Sequence, residues 1–243
     1  MTMRRIIRYW LDRPPVSTIN LARCKYLQFD GTYLKKRHTA IVGIADPNHR
    51  SIVIGCYGLK EGERRMEAFC RQLADSGLQP VSVTIDGLKQ VQTMLKATWP
   101  TVIIQRCLVH IQRQGLSWCR RDPHTAAVKH LRKLFDRVTR IRSTAERDQF
   151  ITAWQMWEQR FGQPIALRPS RGKVFSDVKR ARSLLLYALP HMFCYLEDTQ
   201  IPSSTNWLEG YFSRLKSRYR QHRGLSPSSC TNYFRWYFHL CKT

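Results

Sequence analysis

A mixed α/β fold interrupted by a helical insertion is what this sequence predicts, and three observations predict it. Two runs, KYLQFDGTY (Lys25–Tyr33) and VSVTIDG (residues 81–87), alternate apolar and polar residues with the two-residue period of a strand, and each carries Asp-Gly. Around them, further strand-like and helix-like runs give the order strand, strand, strand, helix, strand, helix, strand. From Cys107 to about Leu196 the period turns helical, with no strand-like alternation.

In the first run Leu27 and Phe29 point one way and Gln28, Asp30 and Thr32 the other, so the strand is half-buried with a carboxylate on its polar face. Gly31 follows Asp30 and lets a ligand or another backbone approach. Thr39–Ala45 and Ser51–Tyr57 are β-branched runs separated by DPNHR, which reads as a hairpin. Met66, Phe69, Cys70 and Leu73 fall on one face of a helix over residues 61–76, with Gly77 in the position of a C-terminal left-handed residue. In the second Asp run Val81, Val83 and Ile85 share one face, Ser82, Thr84 and Asp86 the other, and Gly87 follows. Leu88, Val91 and Leu95 mark a helix ended by Pro100, and TVIIQ at residues 101–105 is a fifth strand. Two strands that each offer Asp and then Gly point to two carboxylates converging on one site. The plainer alternative, that each Asp caps a turn after its strand, stays open.

Residues 1–23 read as a short basic segment with a helix over Arg4–Leu11, ended before Pro14–Pro15. Residues 24–106 and 201–243 are expected to form one domain, with residues 107–200 inserted as a helical unit. In that unit Leu131, Leu134, Phe135, Val138 and Ile141 form one stripe. Ser143 to Glu146 reads as a capping box opening a helix with Phe150, Trp154, Trp157 and Phe161, and a further helix spans residues 177–188.

Lys plus Arg number 41 against 17 acidic residues, a net charge of +24. Such an excess opposes compaction unless an anionic partner neutralises it, and nucleic acid is the partner this implies. Apolar residues make up 43% of the chain, enough for a core. There is no long apolar run, and MTMRRIIRYWLDRPP lacks the apolar stretch of a signal peptide, so no membrane partner and a cytoplasmic location are expected. The eight cysteines include no Cys-x-x-Cys pair and read as reduced thiols.

A third acidic position lies late in the chain. Thr205 reads as the N-cap of a helix through NWLEGYFSRLKSRYRQHRG, with Leu208, Tyr211, Phe212, Leu215 and Tyr219 as its apolar stripe. Glu209, Ser213, Lys216 and Arg220 share an adjoining face. One carboxylate beside a basic row suits a place where a metal ion meets DNA phosphates. An ordinary solvated face is the alternative, and Glu197 and Asp198 compete with Glu209 for the role. Phosphate contacts are expected from Lys35, Lys36 and Arg37 after the first strand and from Arg214, Lys216, Arg218 and Arg220 here. The aromatics Tyr233, Phe234, Trp236, Tyr237 and Phe238 of a last helix read as core packing.

Taken in order, LQFDGTYL, TIDGLK, QRCLVHIQR and TNWLEGYFSRLKSRYR resemble the blocks of bacterial insertion-sequence DDE transposases. The resemblance is closest to the group related to plant Mutator-like elements and covers about residues 25–224. It implies a ribonuclease H-like mixed sheet whose first and fourth strands lie side by side, with the all-helical insertion before the last catalytic helix. It also implies metal-dependent cutting and joining of double-stranded DNA at element ends and target. The family's acidic positions match Asp30, Asp86 and Glu209, and its Cys-x-x-His matches Cys107 and His110. Carboxylates are hard ligands that suit two Mg²⁺ or Mn²⁺ ions roughly 3.5–4 Å apart, with Asp30 bridging both. A homo-oligomer on DNA, associated with the bacterial nucleoid, is the implied assembly. Family members usually carry an end-recognition region before the first catalytic strand, where this sequence has only 23 residues. A shortened copy that binds duplex DNA with little sequence preference is therefore expected. A related two-metal nuclease or resolvase, and a DNA-binding derivative without chemistry, are the alternative readings. Zinc at Cys107 and His110 would need about two more ligands, with Cys119 and His124 nearest, and the pair is expected instead to orient the insertion or DNA.

Overall fold

The alternating runs form a five-stranded sheet in the computed structural model, which describes residues 2–13, 15, 19–34, 39–59, 64–169, 172–221 and 224–241. The strands are β1 (Tyr26–Leu34), β2 (Thr39–Asp46), β3 (Ser51–Tyr57), β4 (Ser82–Ile85) and β5 (Ile103–Arg106), in spatial order β3-β2-β1-β4-β5. β1, β2 and β3 are antiparallel neighbours, and β4 runs parallel to β1 with Gln28 opposite Thr84. The β2–β3 hairpin forms as the turn composition predicts. The Asp46 carboxylate accepts the backbone N–H groups of Asn48 and His49 at 3.1 and 3.3 Å and so closes the turn.

One face of the sheet packs on α2 (Arg64–Asp75) and α3 (Lys89–Thr98). Leu27, Phe29, Val83 and Ile85 share a core with Met66, Cys70 and Leu73 of α2 and Val91 and Leu95 of α3. α2 stops as its sequence predicts: Gly77 adopts φ +94°, and Leu78 N–H returns to the Leu73 carbonyl at 3.0 Å. The other face carries α10 (Asn206–Tyr219) and α11 (Pro227–Leu240), with Leu34, Ala45 and Ile52 among their aromatic side chains. Two glycines make this approach possible. Gly43 stands opposite Asp30 on one side and Gly55 on the other. A Cβ at Gly43 would lie 2.9 Å from the Phe212 ring, and one at Gly55 only 2.3 Å from the Phe238 ring.

The chain divides into two compact units, residues 1–104 with 200–243, and residues 105–199. The short basic N-terminal segment belongs to the first unit. Its helix α1 (Met3–Leu11) is fastened to α11 by the Trp236 indole, which donates to the carbonyls of Trp10 and Arg13 at 2.6 and 2.8 Å.

The second unit is helical: α4 (Leu108–Cys119), α5 (Ala126–Arg137), α6 (Thr144–Trp157), a π turn over Glu158–Gly162 leading to α7 (Gln163–Leu167), α8 (Gly172–Ala188) and α9 (Cys194–Glu197). Its core gathers the predicted stripe residues Leu131, Leu134, Phe135, Val138 and Ile141 with Phe150, Trp154 and Trp157. The capping box at Ser143 and Glu146 forms, and its hydrogen bonds hold the Glu146 carboxyl below its ordinary pKa, the Arg142 backbone N–H being the largest cause. α8 begins earlier than residue 177; Asp177 is buried within the helix and paired with Arg120 at 3.7 Å and Arg180 at 3.5 Å. No described helix is long and apolar enough to cross a membrane.

The glycine column yields a stability prediction. Gly55→Ala forces the Phe238 ring to move and should cost about 1–3 kcal/mol in urea unfolding. Adding Phe238→Leu to Gly55→Ala should recover part of that loss; an unchanged unfolding midpoint for Gly55→Ala would show that the ring is not confined.

Candidate active site

The register of β1 against β4 sets the level of the two aspartates. Gln28 pairs with Thr84, so two steps further along both strands the chain reaches Asp30 on β1 and Asp86, one residue beyond β4. Period-two alternation puts Asp30 on the same face as Gln28, the face that carries α10. Each aspartate has one oxygen held by backbone: Asp30 Oδ1 accepts Gly31 N–H at 2.8 Å, and Asp86 Oδ1 accepts Leu88 N–H at 3.1 Å. The second of these is the turn-capping bond of the plainer reading, and it leads the chain into α3. The two Asp-Gly pairs differ in backbone. Gly31 stays in the strand opposite Val42, whereas Gly87 adopts φ +109°, where a side chain is strongly disfavoured.

Glu209 lies in the first turn of α10, where the unpaired N–H groups of a helix start favour a carboxylate. Thr205 occupies the N-cap position, but its hydroxyl makes no capping bond; it reaches Glu209 Oε1 at 3.5 Å instead. The cap comes from the sheet. Gln28 Oε1 accepts Leu208 N–H at 3.2 Å, and its Nε2 donates to the Ser204 carbonyl at 2.6 Å. The Thr84 hydroxyl donates to the Pro202 carbonyl at 2.5 Å, and Asn48 Nδ2 to the Gln200 carbonyl at 3.0 Å. The residues two before each aspartate therefore hold the segment that leads to Glu209. Sequence reading misses Gln28 and Thr84 as anchors of this segment because their partners lie 176, 180 and 118 residues away. The one available signal was a polar side chain on each strand face that also bears the carboxylate. Glu197, a competitor for the third position, pairs with Arg147 at 3.6 Å within the helical unit, to which Asp198 also belongs.

Among the described residues, no group of three or more His, Cys, Asp or Glu side chains is arranged to hold a metal ion. The sheet and α10 thus supply the elements that carry three carboxylates, without a closed ligand set.

The cations picked for phosphate contact divide. Lys35, Lys36 and Arg37 lie outside the described residues. Arg214, Arg218 and Arg220 are exposed and Lys216 is half-buried. At about 100° per residue, Lys216 and Arg220 fall within about 20° of Glu209, whereas Arg214 and Arg218 lie about 140–180° around the helix. Arg214 sits over the Tyr211 ring, 5.8 Å from its centroid. Lys216 and the C-cap residue Arg220 therefore flank the carboxylate, as their spacing predicts, whereas Arg214 and Arg218 face away from it.

Cys107 is buried at the N-cap position of α4, and His110 lies in that helix's first turn. Cys119, the suggested further zinc ligand, is packed in the helical core, where burial pushes its thiol up to about 12. Among the described residues, Cys107, His110 and Cys119 belong to no group of three or more side chains that could hold a metal ion.

Residues 18–229 match the model of the family described as "Transposase, Mutator family". The chain belongs to that family. The matched range takes in Asp30, Asp86, Cys107, His110 and Glu209. Over 196 residues the chain is 21% identical to the transposase for insertion sequence element IS905 of Lactococcus lactis subsp. lactis (strain IL1403), covering 76% of this chain and 47% of that protein. It is 23% identical over 140 residues to the transposase for insertion sequence element IS1201 of Lactobacillus helveticus, covering 54% and 37%. A probable transposase for an insertion sequence element of Corynebacterium diphtheriae is 30% identical over 91 residues, 37% of this chain and 26% of that protein. The matched stretches thus span less than half the length of each of these relatives.

The raised thiol has a chemical consequence. Cys119 should resist iodoacetamide at pH 8 in the folded chain and react once urea unfolds it, as read by peptide mass spectrometry. Fast native labelling would show that the α4–α5 core is open there.

Proposed function

We propose that this Mutator-family chain is the catalytic portion of an insertion-sequence transposase, which cleaves and joins double-stranded DNA at the ends of a mobile element. The observation that carries the reading is the placement of Asp30 and Asp86 at one level of adjacent parallel strands, with Glu209 in a helix fastened to those strands. The strand order, three antiparallel strands followed by a parallel fourth, supports a ribonuclease H-like sheet.

Phosphodiester transfer requires an attacking water or 3′-hydroxyl in line with the phosphorus and compensation for charge on the leaving oxygen; it needs no protein nucleophile. Carboxylate oxygens are the hard donors that Mg²⁺ or Mn²⁺ prefers, and Asp30, Asp86 and Glu209 are the residues that would hold a pair of such ions. Ions bound there would supply the charge compensation and the activated oxygen. The donor types fit this role, and the chain's own contribution is to bring the three carboxylate-bearing elements to one face of the sheet. Lys216 and Arg220, beside Glu209, suit the flanking phosphates. The net charge of +24 provides duplex affinity without base reading. Double-stranded DNA and further copies of the chain upon it are the partners in this reading.

Asp30→Ala should abolish Mn²⁺-dependent nicking of supercoiled plasmid while duplex affinity holds or rises, because a charge that repels phosphate is lost along with the ligand. Nicking retained by the purified variant would refute the role of Asp30. Joining of a pre-cleaved element end by the unaltered chain distinguishes a transposase from a nuclease that only cuts. Duplex binding should weaken with salt at a log–log slope of about −0.9 per phosphate neutralised. Preference for an element-end duplex over a scrambled one should stay below about tenfold; a larger preference would place base recognition within this chain.

A further inference from the structure

The side chain that ties Glu209's helix to Asp30's strand is Gln28. We propose that Gln28 is a positioning residue for the third carboxylate, assisted by Thr84; this rests on the carboxylate reading above. Gln28 is 3% exposed, and burying an amide is unfavourable unless both its ends are paired. Here both ends serve one short segment, Ser204 to Leu208. β1 is the middle strand, flanked by β2 and β4, so Gln28 stands on the most constrained part of the sheet. A helix capped by its own Ser or Thr sets its own start. α10 lacks that bond, and its start is set by the strand that bears Asp30. Sliding the first turn of α10 along the sheet breaks both Gln28 bonds, and the Thr84 hydroxyl holds Pro202, two residues before that segment, from the strand that leads to Asp86. The coupling is built into spacing: each anchor lies two residues before its aspartate on the same face.

The test is Mn²⁺ affinity, read by water-proton relaxation on the full chain without DNA, together with amide exchange at Leu208. Gln28→Met keeps length and apolar volume but removes both bonds. It should speed Leu208 exchange and weaken Mn²⁺ binding by about 10–100-fold, the range for a group that orients a metal ligand. Glu209→Gln should weaken binding comparably. The double variant should be no weaker than Glu209→Gln alone, because Gln28 acts through Glu209. Thr84→Val should also weaken binding, and Thr84→Ser should restore it. Unaltered Mn²⁺ affinity in Gln28→Met, or additive losses in the double variant, would overturn the positioning role while a weak Glu209→Gln leaves the carboxylate reading intact. If Gln28→Met does not fold, Thr84→Val decides, and unaltered affinity there overturns the proposal. Failure of the unaltered chain to bind Mn²⁺, or full affinity in Glu209→Gln, would overturn the carboxylate reading and this inference together.

Discussion

The parallel register of β1 on β4 is the constraint from which the candidate site follows. It is pinned at the strand starts, where the Lys25 carbonyl accepts the N–H groups of Val81 and Ser82 at 2.8 and 3.1 Å. Side chains alternate with period two, so a slip of one residue in either strand would turn its aspartate to the opposite face and its apolar residues into the wrong layer. Leu27, Phe29, Val83 and Ile85 are all buried against α2 and α3, which makes such a slip costly. Packing on one face of the sheet thereby fixes the level of the carboxylates.

α10 is held in two independent senses. Its position along the sheet is set by Gln28 and Thr84, through bonds to residues 202–208. Its rotation about its own axis is set by Leu208, Tyr211, Phe212, Leu215 and Tyr219, which are buried with the aromatics of α11. Tyr211 is fully buried, stacked with Phe238 at a centroid distance of 6.1 Å, and its hydroxyl has no hydrogen-bond partner among the described residues. Burial drives that phenol well above its ordinary pKa, so it stays neutral. An unpaired buried hydroxyl costs about 1–3 kcal/mol, a sign that ring packing dominates here. The hollow for these rings is made by Gly43 and Gly55, side by side in the column that begins at Asp30.

Several of the acidic residues pair internally. Glu158 meets Arg182 through a two-pronged ion pair, Asp177 meets Arg120 and Arg180, and Glu67 meets Arg71 at 2.5 Å. With 41 basic against 17 acidic residues, 24 positive charges have no acidic counterpart in the chain. Its long-range field attracts a polyanion, and it weakens as salt screens it.

Much of the element order was legible in the sequence, because period two and period 3.6 are local properties that survive any tertiary arrangement. The strands that carry Asp30 and lead to Asp86, the β2–β3 hairpin, the Schellman end of α2 and the capping box of α6 all follow from residues within one or two turns of each other. Local rules failed where distant residues intervened. Thr205 has the composition of a cap, yet the capping acceptor comes from Gln28 across 180 residues of chain. The helix expected over residues 177–188 begins at Gly172, and Asp177 within it pairs with Arg120, far earlier in the sequence. The stripe of α10 was legible too: Leu208, Tyr211, Phe212, Leu215 and Tyr219 are buried as their spacing predicts, which leaves Glu209 and Lys216 on the adjoining face. The sequence alone determined which elements carry the three carboxylates. Only the tertiary structure decided how those elements are tied, because a hydrogen bond between a strand and a loop far along the chain leaves no periodic trace in either.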